Sequence, residues 1–158
     1  MRKKPARLSA LLGGACLLAG CASGLQTQAL APAGFDRVTV GGELRQRIER
    51  NFDRLETDYY QPDQVYWTEE QSGGWPGDKE GRTILALVLD AQASGRTPLY
   101  LDELIRRLPR ELNAKGYLGS IHEGSADEQQ LSGHGWLLRG LCEYYAWKKD
   151  PQVLEIAR

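Results

Sequence analysis

Apolar positions along the chain recur at the helical period, and the strongest run follows a glycine-rich loop. Within GGWPGDKEGRTILALVLDAQASG, residues 73–95, apolar side chains fall at positions 84, 85, 87, 88 and 91. Ala86, Leu89 and Ala93 fill the gaps, so most of the circumference is apolar. The pattern predicts a helix starting at Gly81 that lies inside an all-helical assembly. Weaker copies flank it. Residues 43–60 set Leu44, Ile48, Phe52 and Leu55 on one face, with Arg45 and Glu49 on the solvated one. Residues 99–113 align Leu101, Leu104, Ile105, Leu108 and Leu112, and Pro109 is placed to kink or end that helix.

A polar loop is expected through Gln130. A helix over 134–148 then turns Leu137, Leu138, Leu141, Cys142 and Tyr145 inward, which makes Cys142 a buried structural thiol. Asp150-Pro151 breaks the chain, and residues 152–158 begin another helix. Strand signals are confined to short runs such as residues 35–40. A shift of 54 positions lays Gly81, Ile84, Leu87, Ala91 and Leu99 on Gly135, Leu138, Leu141, Tyr145 and Val153. An inner apolar helix, a turn and an amphipathic outer helix per repeat is the signature of stacked helical hairpins. The pattern stops at Glu155-Ile156-Ala157-Arg158 without a glycine cap, so the array reads as truncated. Helices 83–93 and 134–148 are then expected to lack their next neighbours.

The first twenty residues change the picture of address and charge. Arg2, Lys3, Lys4 and Arg7 precede a short apolar run over 8–18, and Leu18-Ala19-Gly20-Cys21 supplies a small-residue cleavage site. The same tetrapeptide looks like a bacterial lipobox, which makes residues 1–20 a lipoprotein signal and Cys21 the lipidated mature N-terminus. Residues 21–40, rich in Ala, Gly, Gln and Pro, read as a flexible tether. The predicted site is a cell envelope, with the chain lipid-anchored at a periplasmic face or cell surface. Removing residues 1–20 takes away four of twenty basic residues and none of twenty-one acidic ones. The remaining chain is acidic by five, which argues against a nucleic-acid partner.

Candidate chemistry is sparse. Tyr59, Tyr60, Tyr66 and Trp67 cluster around Pro62, and such rings either stack on sugars or seal helix ends. Trp75 and Asp78, at the mouth of the apolar helix, either grip a polar ligand or cap the core and start the helix. His122 reads as a surface residue. His134 reads as either a ligand contact or a helix-start hydrogen-bonding group. Of the carboxylates near loops, Asp78 and Glu80 stand apart from Glu123, Asp127 and Glu128, and no evident pair converges as glycoside hydrolysis requires. No metal-ligand spacing is visible.

Gly74-Trp75-Pro76-Gly77-Asp78, Gly81-Arg82, Gly116-Tyr117-Leu118-Gly119 and Gly133-His134 form an ordered set. Over about residues 41–158 that set resembles the N-terminal part of glycoside hydrolase family 127-type, β-L-arabinofuranosidase-like proteins. The resemblance implies an (α/α)6 barrel with a sugar pocket at one end, and a carbohydrate substrate. It further implies a retaining hydrolase with a cysteine nucleophile at a zinc site, whose ligands and nucleophile lie beyond this segment. No cofactor is expected within the chain itself. His134 matches a sugar-contacting histidine of that pattern, and Trp75 and Asp78 are weaker candidates for the same substrate-binding pocket. Two other readings stand beside it: another six-hairpin sugar enzyme of the unsaturated-uronyl hydrolase type, and a non-catalytic helical-repeat lipoprotein that binds a partner.

Overall fold

The computed structural model describes residues 33–66 and 75–158. The Leu18-Ala19-Gly20-Cys21 motif, residues 21–32 of the tether, Trp67 and Gly74 lie outside them. Residues from Ala33 onward form one unit. Among the described residues there is no strand, and the helices are α1 (Gly42–Leu55), α2 (Pro62–Val65), α3 (Asp78–Ser94), α4 (Leu101–Glu111), α5 (Glu128–Lys148) and α6 (Pro151–Ile156). Short 3-10 turns occupy Phe35–Arg37 and Asp58–Tyr60. None of these helices is long and apolar enough to cross a membrane.

The starts of α3, α5 and α6 follow from their caps. Gly77 sits at φ 92°, a left-handed conformation that suits glycine, and its N–H donates to the Glu80 carboxylate at 2.9 Å. The apolar helix therefore begins at Asp78, not at Gly81 as the pattern predicts. Gly95, also left-handed, ends it by donating to the Ala91 carbonyl. Asp127 caps α5 by accepting from the Gln130 N–H at 2.9 Å. That moves the start of α5 to Glu128, six residues before the expected one, and turns the end of the predicted polar loop into helix. Asp150 likewise caps α6, with Pro151 at its first position.

Further boundaries differ from the sequence reading. The 43–60 helix ends at Leu55, where Glu56 and Thr57 fold back on the last turn and a separate 3-10 turn follows. Residues 99 and 100 lie outside α4, because the Leu99 N–H is held by the Glu56 carboxylate. Pro109 is accommodated within α4, which ends two residues later. The expected extended piece at 35–40 is a 3-10 turn running into extended backbone at Val38.

One core joins all six helices: Leu55 from α1, Val65 from α2, Ile84, Leu87 and Val88 from α3, Leu104 and Leu108 from α4, Leu141 from α5 and Val153 from α6. The centre is α3, with α1, α4 and α5 packed around it. Its flanks are covered, contrary to the expectation that helix 83–93 lacks a neighbour. The most extensive contact, α3 against α5, is made by glycines. A Cβ on Gly140 would sit 2.7 Å from the Gly81 carbonyl oxygen and 3.3 Å from Ile84 Cβ. One on Gly77 would sit 2.8 Å from the Gly133 carbonyl carbon, and one on Gly81 would collide with the Trp136 carbonyl and the Leu137 nitrogen. The two helices run parallel, with 77 meeting 133, 81 meeting 137 and 84 meeting 140.

This register sets which face of α5 is inward. Gln130, Gly133, Leu137, Gly140, Leu141 and Tyr144 are buried. Leu138 is 45% exposed and Cys142 is exposed, so both point away from the core, contrary to the sequence reading. Gly135, laid on Gly81 by the 54-residue shift, has open space around it.

Candidate functional site

Three of the four motifs that carry the family resemblance, at 75–78, 116–119 and 133–134, meet at one end of the α3 and α5 crossing. Pro76 lies in a turn closed by the Asp78 N–H donating to the Trp75 carbonyl at 3.1 Å. A Cβ on Gly119 would approach Pro76 Cγ to 2.5 Å, and one on Gly133 would collide with the Pro76 carbonyl. The 75–78 turn is therefore in backbone contact with Gly133, and the 116–119 turn packs at Gly119 against the Pro76 ring. Gly133 and His134 lie in the second turn of α5, so His134 is not a helix-start residue.

Polar side chains then organise the loop between α4 and α5. Asn113 holds the 113–119 turn: its Oδ1 accepts from the Lys115 N–H at 2.9 Å, and its Nδ2 donates to the Gly119 carbonyl at 2.9 Å. Gln130 is the hub. Its buried amide nitrogen donates to the Leu118 and Ser120 carbonyls, both at 3.0 Å, and its Oε1 faces His122 Nε2 at 2.9 Å. His134 Nε2 lies 2.8 Å from the same Leu118 carbonyl. A carbonyl only accepts, so Nε2 of His134 carries the proton and Nδ1 is the nitrogen left for a ligand. The same logic applies to His122, because the amide nitrogen of Gln130 is committed to two carbonyls and only its oxygen is left. The Tyr117 ring packs edge-on against His134, with centroids 5.5 Å apart.

Around these groups lies a cavity of about 230 Å³, lined by Tyr117, His122, Ser125, Asp127, Gln130 and His134, with Ala126 and Leu131 on its apolar side. Two imidazoles, a phenol, a hydroxyl and a carboxylate beside apolar surface suit a small polyhydroxylated ligand. Asp127 is the one carboxylate in this wall, with Oδ2 4.0 Å from His122 Nε2. Glu123 pairs with Lys115 instead. Among the described residues no group of three or more His, Cys, Asp or Glu side chains is placed to hold a metal ion.

The remaining sequence candidates separate. Asp78 accepts from Arg82 at 2.9 Å and lines a different cleft, together with Arg54, Tyr59, Tyr60 and Lys79. Trp75 is half exposed and belongs to neither wall. Tyr66 seals a helix end: it is buried, and its hydroxyl donates to the Leu104 carbonyl at 2.6 Å. Burial pushes that phenol far above its ordinary range, so it stays a donor. Tyr59 remains open, with its ring edge-on to Tyr60 at 4.9 Å. The histidine at 122 is on the surface, as expected, yet bonded into the site. Gln130 enters the sequence reading only as the end of a polar loop, not as a site residue. The one signal was its phase, three and seven residues before Gly133 and Leu137 on the same face of α5.

No protein-family model, no curated protein and no solved structure matches this chain.

Proposed function

We propose that the chain is the N-terminal part of an envelope-anchored glycoside hydrolase that acts on L-arabinofuranosyl-type plant glycans. In this reading its helices are stacked hairpins of an (α/α)6 toroid, and the Tyr117 and His134 cleft contacts the sugar. The observation that carries the reading is the meeting of the 75–78, 116–119 and 133–134 motifs beside a cavity lined by polar side chains. In the cleft, His134 Nδ1 is the hydrogen-bonding atom for a sugar hydroxyl, and Tyr117 supplies the apolar wall. Asp78, through its tie to Arg82, acts on this site only by holding the 75–78 turn at the start of α3. Zinc and the nucleophile of the family chemistry are assigned to chain beyond residue 158.

Titration of the full chain with methyl β-L-arabinofuranoside tests the reading. The His134 and Tyr117 ring resonances should move, and His134→Gln, which keeps a donor for Leu118, should weaken binding about tenfold. Unmoved resonances, or equal affinity in the variant, would sink it. The anchor is tested apart from the sugar: Cys21→Ser should abolish incorporation of a fatty-acid probe, and unchanged labelling would remove the lipoprotein assignment.

A second reading, a helical-repeat lipoprotein that binds a partner, draws on Leu131 and Leu138, which stand exposed one above the other on the outer face of α5.

A further inference from the structure

A cleft of about 270 Å³ lies where α3 and α5 end and α4 begins. Gln92 lines it from α3, Asp102 from α4, and Trp147 and Lys148 from α5, with Pro98 and Leu101 as apolar surface. The offset of 56 residues that pairs 77 with 133, 81 with 137 and 84 with 140 also sets Gln92 level with Lys148. The Gln92 side-chain nitrogen is buried and has no hydrogen-bond partner among the described residues. A buried donor left so is rare in a folded chain. The amide oxygen is not committed either. Rotation of the terminal torsion can therefore turn the nitrogen to the cleft without breaking a hydrogen bond.

Two opposite charges share this cleft, and neither is paired with a counter-charge among the described residues. Lys148 stands over the Trp147 ring, with Nζ 3.7 Å from the ring centroid. Asp102 sits in the first turn of α4. The Tyr144 phenol, held above its ordinary range by burial and then by Asp102 and Asp150, is uncharged and leaves the Asp102 carboxylate uncompensated. Arg96 also lines the cleft, but it is matched by Asp53 at 2.8 Å and Glu49 at 3.2 Å. An ammonium, a carboxylate and an uncommitted amide beside apolar surface are the complement of a zwitterion that carries an apolar side chain.

We propose that this cleft binds a small α-amino acid. Its carboxylate is held by Lys148 Nζ and the Gln92 amide nitrogen, its ammonium by the Asp102 carboxylate, and its side chain lies against Pro98, Leu101 and Trp147. The site is separate from the Tyr117 and His134 cleft and does not depend on the sugar reading given there.

The test is a titration of the full chain with L-leucine, N-acetyl-L-leucine and L-leucinamide, followed through the Trp147 indole N–H resonance. Leucine should move it, and each blocked form should bind about tenfold or more weakly. Lys148→Gln should weaken leucine binding and abolish the preference for leucine over leucinamide. Asp102→Asn should likewise abolish the preference over N-acetyl-leucine. Loss of folding mimics neither result, because it removes the response to all three ligands. Gln92→Leu should weaken leucine binding about tenfold yet leave the thermal midpoint unchanged or higher, since the amide has no partner to lose. A resonance unmoved by leucine up to about 50 mM, where a ligand of millimolar affinity saturates, would overturn the proposal. So would either blocked form binding as tightly as leucine.

Discussion

Glu80 shows how one carboxyl can serve a fold and tax it at the same time. Its oxygen accepts from the Gly77 N–H and so fixes the first turn of α3, yet the side chain is almost fully buried. Desolvation outweighs the two backbone hydrogen bonds and the nearby Lys79, and pushes the carboxyl from its ordinary value up to about 7. A carboxyl with a raised folded-state pKa binds its proton more tightly when folded. Its contribution is therefore fully present below pH about 4.5 and is lost as pH rises through about 7. Glu80→Gln should accordingly match the wild type near pH 4 and exceed it at pH 8, by up to about 3 kcal/mol. Thermal melts of both proteins across that range check the sign; a variant less stable at pH 8 would refute it.

At the scale of elements, the crossing of α3 and α5 is decided by absent side chains. Gly81 has no room for a methyl group, since its Cβ would meet backbone atoms of Trp136 and Leu137, which cannot swing aside. Gly81→Ala should cost about 3 kcal/mol, the upper part of the range for overpacked sites. Gly135→Ala, on the open face of α5, should instead stabilise by about 0.5–1 kcal/mol through helix propensity. Urea midpoints of the two variants should move in opposite directions, and a shared direction would refute the assignment of faces.

The same crossing explains what the sequence conveyed about these elements and what it concealed. The helices around 84–91 and 101–108 were legible because Ile84, Leu87, Val88, Leu104 and Leu108 repeat at the helical period and are all buried. The face of α5 was misassigned because its closest contacts are made by Gly133 and Gly140, which leave no mark in an apolar pattern. Leu138 and Cys142 took their place in the sequence reading. The start of α5 was missed for a related reason, since its first inward residue is an amide, Gln130.

For the whole molecule, the core positions of α1, α3 and α4 followed from periodicity, whereas the network around Leu118 did not. That network is built from hydrogen bonds across a loop, and their partners are fixed only once the 116–119 turn is docked on Pro76. Site residues supplied by short polar motifs could be named in order along the chain. Their division between two clefts became visible only in three dimensions.

The glycine crossing also bears on the order in which the molecule assembles. Helices α3 and α4 are neighbours in sequence, and α6 follows directly on α5. The tightest contacts, by contrast, join Gly77 to Gly133 and Gly81 to Leu137, across more than fifty intervening residues. Closing a loop of that length costs entropy before any contact repays it. Folding should thus be paced by the docking of two finished helices and not by their formation. In stopped-flow experiments Gly140→Ala should slow refolding as well as lower stability. If the variant only accelerates unfolding, the crossing locks after the rate-limiting barrier instead of at it.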